Sequence, residues 1–128
     1  MKINEASENY LEAILVLERN EEQVRMSDIA KMLNVSKPSV NKAMGILKDA
    51  GYILQEKYGT ILLTEEGRQY AEKVYARHRL FKRFFIEILG IEESVAEEDA
   101  CHMEHCVSDE TREKLDAYLT QILNEQKK

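Results

Sequence analysis

The sequence of 128 residues predicts a mostly α-helical fold, in which a winged helix-turn-helix is followed by an all-helical region. Apolar residues recur along most of the chain at the three- and four-residue spacing of amphipathic helices. Two helical segments joined by a short turn precede two β-prone runs around a Tyr-Gly-Thr turn, which is the order of a helix-turn-helix and its wing. We place the domain boundary along a long predicted helix, which gives domains of residues 1–72 and 73–128.

The composition is ordinary for a globular protein, with 44% hydrophobic residues. No run approaches the roughly 18 consecutive apolar residues of a membrane span, and the first residues lack the apolar core of a secretory signal. We therefore expect a cytoplasmic protein with no membrane partner. In that reducing compartment, Cys101 and Cys106 are expected to bind metal, to react or to be buried rather than to form a disulfide.

The first predicted helix covers residues 7–19, where apolar residues recur at helical spacing. Ser7 is its expected N-cap, and Asn20 marks its expected end. A short helical segment then opens at Ser27 and Asp28 and stops at Asn34. This segment is the first helix of the helix-turn-helix.

The second helix of the helix-turn-helix begins after Ser36, its expected N-cap, and ends at Gly51. The only proline, Pro38, lies in the first turn, where its missing N–H is tolerated. Four apolar residues share one face of this helix and predict its buried side: Val40, Ala43, Met44 and Leu47.

The wing is predicted as a hairpin of two β-prone runs, Tyr52–Gln55 and Ile61–Leu63. A long helix follows, from the expected N-cap Thr64 to Leu89, and Gly90 ends it. Two shorter helices are predicted over residues 92–106 and 109–123. The region after the wing is therefore expected to be entirely helical.

Charge is distributed unevenly along the chain. The net charge is −6, yet residues 31–63 carry five lysines against two acidic residues, a local net charge of +3. From residue 71 onward there are nine basic and thirteen acidic side chains, a net charge of −4. A basic segment in an acidic chain is expected for a small DNA-reading element attached to an acidic regulatory part, although solvated helix faces are also often basic.

The outward face of the second helix is suited to the major groove, because small and polar side chains would approach the bases first. Lys42 is placed to reach a guanine edge or a phosphate, and Pro38 a thymine methyl. The alternative is a winged helix used for protein contacts, whose lysines only solvate the surface. The predicted DNA-binding residues are Ser36, Lys37, Pro38, Ser39, Asn41, Lys42, Lys48 and the wing residue Lys57.

The stretch ACHMEHC at 100–106 holds two thiols, two imidazoles and a carboxylate. On a helix, Cys101, Glu104 and His105 share one flank of the apolar stripe. His102 and Cys106 share the other flank. The first set offers three convergent donors of mixed softness, suited to a divalent transition metal, and the second offers two. The alternative is a half-buried cysteine beside an exposed Glu-His pair, with no metal.

Four stretches carry a resemblance that covers nearly the whole chain: SENYLEAI at 7–14, SDIAKMLNVSKPSV at 27–40, RHRL at 77–80 and DACHMEHCVSDE at 99–110. Together they resemble the diphtheria-toxin-repressor family of metal-dependent transcription regulators, including its shorter manganese-responsive branch. The resemblance implies a homodimer that binds operator DNA when loaded with Fe(II) or Mn(II), through a winged helix and an all-helical dimerisation domain. We expect the short form, without a C-terminal SH3-like domain.

The resemblance implies a primary metal site on Cys101, Glu104 and His105, with a further ligand from the first helix. Relatives have methionine or aspartate where this chain has Asn9. An amide oxygen is a weaker ligand than a carboxylate. Glu12, one turn along, matches a ligating glutamate of the manganese branch, so either residue or both are candidates.

The resemblance also implies a second metal site, which draws on the histidine of RHRL, here His78. An acid is expected four residues later, where this chain has Lys82, and a cationic side chain weakens the site. Glu97 occupies the place of another second-site ligand. We therefore expect one strong site and one degraded or altered site.

The expected metal is Fe(II), because in this resemblance cysteine accompanies iron response, and Mn(II) is the alternative. Zn(II), Co(II) and Ni(II) are expected to substitute in vitro. The function implied is repression of metal-uptake genes, with a metal-independent winged-helix regulator as the alternative. No enzyme activity or small-molecule substrate is expected. One aromatic run is interpreted as the dimer interface, with intrachain core as the alternative: Leu80, Phe81, Phe84, Phe85, Ile88 and Leu89.

Overall fold

The computed structural model describes residues 4–20, 23–56 and 59–126, without the side chains of Glu104 and Gln126. The chain divides into two compact units, Met1–Lys73 and Val74–Lys128. The described residues confirm the predicted fold class, a winged helix-turn-helix followed by helices, and none of their helices is long and apolar enough to cross a membrane. The elements are α1 (Glu5–Asn20), β1 (Val24–Arg25), α2 (Met26–Leu33), α3 (Lys37–Asp49), β2 (Ile53–Gln55), β3 (Thr60–Leu63), α4 (Glu65–Glu87), α5 (Glu93–Cys106) and α6 (Asp109–Gln126).

α1 packs its apolar face into the core of the first unit, where Leu11 and Ile14 are fully buried against α2 and α3. The helix begins directly after Asn4, whose Oδ1 accepts a hydrogen bond from Ser7 N–H at 2.8 Å. Asn4 is therefore the N-cap. The prediction of Ser7 as the cap is wrong, because Ser7 lies inside the first turn and is buried.

The helix-turn-helix consists of α2 and α3. Asn34 adopts a left-handed conformation, with φ of 54°, and ends α2 as predicted. The predicted cap of α3 is confirmed, since Ser36 Oγ accepts a hydrogen bond from Ser39 N–H at 3.3 Å. Gly51 follows the helix with φ of 83°, and the predicted apolar face is buried.

The wing is the predicted hairpin of β2 and β3, which a further strand joins. The sheet order is β1-β3-β2, and both pairs are antiparallel, with Ile53 opposite Leu63 and Val24 opposite Ile61. β1 was not predicted, because a strand of two residues is too short to show an alternating pattern. The third strand, β1, directly precedes α2, so the sheet includes residues that come before the helix-turn-helix in the chain.

α4 begins where the wing ends. Thr64 Oγ1 accepts a hydrogen bond from Gly67 N–H at 3.0 Å, which confirms the predicted cap, and donates one to the Gly51 carbonyl at 2.7 Å. Gly67 lies so close to Tyr52 that a Cβ at position 67 would overlap the Tyr52 carbonyl oxygen. Glycine is therefore required here unless the backbone shifts.

The second unit has a core of its own, built from α4, α5 and α6. Phe81 and Phe85 of α4 pack with Ala100 of α5 and Leu119 of α6. The aromatic run was interpreted as the dimer interface, with intrachain core as the alternative. Phe81 and Phe85 of this run belong to the intrachain core. Leu89, at the end of the same aromatic run, is 56% exposed.

Candidate functional site

The outward face of α3, called here the reading face, is exposed and consists of Pro38, Ser39, Asn41, Lys42 and Gly45. The buried side chains of α3 lie on the opposite face and hold the helix against α1 and α2. Of the predicted DNA-binding residues, Lys57 lies outside the part of the chain that the structure describes. The others are all exposed: Ser36, Lys37, Pro38, Ser39, Asn41, Lys42 and Lys48.

The reading face combines short side chains with positive charge. The hydroxyl oxygens of Ser36 and Ser39 are 2.9 Å apart, so both groups are engaged at the helix cap. Asn41 and Lys42 are the longer polar groups on the following turn. Such a face can bind phosphates through Lys42 and bring small side chains close to base edges.

On α5, Cys101 and His105 lie four residues apart, which is about one helical turn, and both are half-buried. His102 and Cys106, on the other flank, are exposed. Glu104 belongs to α5, but its side chain is not described. Among the side chains that are described, no group of three or more His, Cys, Asp and Glu could hold a metal ion. Cys101 and His105 therefore offer a thiol and an imidazole to which other donors must be added.

On α1, Asn9 and Glu12 are half-buried and three residues apart. Beside them lies Glu8, which is only 4% exposed and accepts a hydrogen bond from Tyr70 O–H at 2.7 Å. The sequence pattern contained a signal for Glu8, since it precedes the core residue Leu11 by three positions on the same helix face. This partly buried hydrogen bond connects α1 to the first part of α4 within the first unit.

In the second unit, His78 of α4 and Glu97 of α5 are brought together. His78 Nε2 lies 2.7 Å from Glu97 Oε1, and His78 is 5% exposed. Lys82, one turn further along α4, places its Nζ 2.9 Å from Glu97 Oε2 and 3.6 Å from Glu93 Oε1. Glu97 is therefore held by an imidazole on one oxygen and by an ammonium on the other.

The groups around Glu97 stabilise its charge. Burial raises the pKa of the Glu97 carboxyl, but the hydrogen bond from Lys82 and the contributions of His78 outweigh it, so the pKa lies below its usual value. The pKa of Lys82 is raised, chiefly by the hydrogen bond to Glu97. Both groups are therefore ionised near neutral pH.

Several known proteins are similar to this chain. The uncharacterized HTH-type transcriptional regulator MJ0568 of Methanocaldococcus jannaschii is 36% identical over 118 residues, which cover 91% of this chain and 94% of that protein. The solved manganese regulator SloR is 32% identical with a TM-score of 0.77, over 94% of this chain and 55% of SloR. ScaR with bound Zn²⁺ is also 32% identical, with a TM-score of 0.73, over 89% of this chain and 53% of ScaR. This chain spans about half the length of these solved regulators.

Two family matches cover most of the chain, one over the winged helix-turn-helix and one over the helices that follow. Residues 2–61 match the N-terminal DNA binding domain of the iron dependent repressor. Residues 64–125 match the metal binding and dimerisation domain of the iron dependent repressor. The chain thus belongs to the iron dependent repressor family of transcriptional regulators, which are not enzymes.

Proposed function

We propose that this protein represses metal-uptake genes by binding operator DNA as a homodimer when it is loaded with metal. The observation that carries the proposal is the combination, in one chain of this family, of an exposed reading face on α3 and a half-buried thiol-imidazole pair on α5. The first suits nucleic acid, and the second suits a divalent transition metal. A dimer would present two reading faces to two half-sites of an operator.

The proposed donor set fits a divalent transition metal. The Cys101 thiolate is a soft ligand, the His105 imidazole is intermediate, and the Glu104 carboxylate is hard. Asn9, Glu12 or both would add oxygen ligands from α1. When bound, the ion would supply the positive charge that offsets these anionic groups.

Fe(II) is the proposed physiological ion, because Cys101 is a soft donor, and Mn(II) is the alternative. SloR is a manganese regulator, and ScaR was solved with bound Zn²⁺, so proteins of similar fold are associated with metals of different softness. Zn(II), Co(II) and Ni(II) are expected to bind in vitro, since affinity rises along the first-row series.

On the DNA side, the exposed lysines of α3 would bind backbone phosphates, and the small residues at the start of α3 would approach the bases. Lys42 is the candidate for a guanine edge, and Lys57 of the wing is a further phosphate candidate. The proposed partner is operator DNA, and the proposed location is the cytoplasm. No membrane partner and no small-molecule substrate are proposed.

The proposed ligands stand on two elements, α1 and α5, and α1 packs directly against α3 in the first unit. A metal ion bound to ligands on α1 would restrict the movement of α1, and therefore also the movement of α3 with its reading face. By thermodynamic linkage, metal must then tighten operator binding by the same factor by which operator tightens metal binding.

An anaerobic titration with Fe(II), repeated with Co(II), tests the metal ligands. The Cys101→Ala variant should lose about tenfold or more in affinity, because it removes the soft donor. Cys106→Ala removes a thiol from the exposed flank five residues later and is the matched control, which should bind like the wild type. Loss of affinity in Cys106→Ala with none in Cys101→Ala would contradict the assignment.

A further inference from the structure

One cluster in the second unit is not explained by DNA binding or by the site on Cys101. It consists of His78, Lys82 and Glu97 and is called here the Lys82 cluster. Glu97 Oε1 lies 2.7 Å from His78 Nε2, and Glu97 Oε2 lies 2.9 Å from Lys82 Nζ. Glu93 places a further carboxylate oxygen 3.6 Å from the same ammonium. The ammonium therefore lies between two carboxylates, with one of them anchored by an imidazole.

The three side chains differ in exposure, and that of Glu97 is about half exposed, at 51%. The His78 side chain is 7% exposed and bonds Glu97 from the buried side. The Lys82 side chain is 27% exposed and approaches Glu97 from the same helix, α4, one turn further along. Two residues of α4 thus bind one residue of α5, and these contacts hold the two helices together at this point.

The same arrangement disfavours a metal ion at Glu97. Such an ion would need a carboxylate oxygen, and both oxygens already have partners in His78 and Lys82. It would also lie within a few ångströms of the Lys82 ammonium, and like charges at that distance repel. Lys82 already supplies the positive charge that the ion would bring.

We propose that Lys82 acts as a built-in cation. With His78 and Glu97 it forms a link between α4 and α5 that needs no metal, and it keeps a second ion away, so that each chain binds one ion. His78 and Glu97, which the family resemblance implies as second-site ligands, then have a positioning role. The number of ions rests on the proposed function, whereas the link between the helices does not.

Counting bound ions tests the exclusion. By equilibrium dialysis against Mn(II) or Fe(II) without oxygen, the wild type should bind about one ion per chain. Lys82→Glu, which places a carboxylate beside His78 and Glu97, should bind about two. Lys73→Glu makes the same charge change at an exposed position of α4 and should still bind one.

Further variants assign the counted ions to their sites. Cys101→Ala should lower the count by one ion, both alone and combined with Lys82→Glu. Adding Glu97→Gln to Lys82→Glu should remove the gained ion and return the count to about one. Glu97→Gln alone should leave the count of the wild type unchanged. A wild type that binds two ions, one of them lost in Glu97→Gln, overturns the proposal, and so does a Lys82→Glu variant that still binds one.

A double-mutant cycle in excess chelator tests the link between the helices independently of metal. Lys82→Met and Glu97→Gln should each lower the Tm, and the double variant should lose less than the sum, because both changes remove one shared contact. Strictly additive losses would overturn the link. A wild type that binds no ion, together with coupling in this cycle, would refute the proposed function and leave the link supported.

Discussion

Gly67 lies in the first turn of α4, directly against the carbonyl group of Tyr52. Thr64 caps this turn and also donates a hydrogen bond to the Gly51 carbonyl at 2.7 Å, so the backbone on both sides is held. A methyl group at position 67 would overlap backbone atoms, which cannot rotate away as a side chain can. The close approach of the wing to α4 depends on this single glycine.

We expect Gly67→Ala to destabilise the protein by about 2 kcal/mol, since overpacking costs about 1–3 kcal/mol and the gain in helix propensity offsets only part of it. Gly45→Ala is the matched control, because Gly45 lies in the interior of α3 with open space around it. That control should be neutral or stabilising by up to about 1 kcal/mol. Urea unfolding of both variants measures the difference, and equal stabilities would contradict the described packing.

Single residues differed in how well the sequence predicted them. Ser36 was predicted as a cap because a hydroxyl, a following proline and an apolar face coincide at one place. The cap of α1 was misplaced by three residues, since Asn4 and Ser7 are both good capping residues and only the folded backbone distinguishes them. Glu8 was missed because its partner, Tyr70, is 62 positions away in the chain.

At the scale of elements, the exposed lysines of α3 should bind DNA phosphates. Lys48→Ala is expected to weaken binding to duplexes of any sequence, because a phosphate contact carries no base information. The slope of log affinity against log salt concentration should fall in magnitude by about 1. Fluorescence anisotropy at several salt concentrations measures this slope.

The control for this prediction is Lys114→Ala, since Lys114 is also exposed but lies on α6. It should leave both the affinity and the salt slope unchanged. A salt slope that is identical in Lys48→Ala and the wild type would show that Lys48 makes no phosphate contact in the complex.

The helices and the hairpin could be predicted because each has its signal within a few neighbouring residues. α3 has a cap, a proline and a terminal glycine, and α4 has a cap at Thr64 and a left-handed Gly90 after its end. β1 had no such signal, because it has two residues and its partner strand follows some 35 positions later. Short strands that depend on distant pairing are not visible in local patterns.

The whole molecule combines a basic segment with an acidic remainder. The charge of +3 over residues 31–63 lies in the first unit, together with the reading face. The charge of −4 from residue 71 onward lies almost wholly in the second unit, together with Cys101 and His105. The basic segment was visible in the sequence and agrees with a DNA-binding surface on the helix-turn-helix.

The partners of Glu97 show the limit of prediction at this scale. Spacing alone placed Cys101, Glu104 and His105 on one flank of a helix. It did not show that Lys82 would meet Glu97, because that contact needs the packing of α4 on α5. A pattern along one helix therefore predicts candidate ligands, and tertiary packing decides which of them are already bound by other side chains.

Operator affinity with and without metal directly tests metal-dependent repression. A duplex enriched from a random-sequence library by the metal-loaded protein serves as the probe, and its affinity is measured without oxygen in Fe(II) and in excess chelator. We expect chelation to weaken binding by at least about tenfold in the wild type, within the usual range of allosteric coupling, and Cys101→Ala to bind weakly in both conditions. Equal affinity of the wild type in Fe(II) and in chelator would contradict metal-dependent repression.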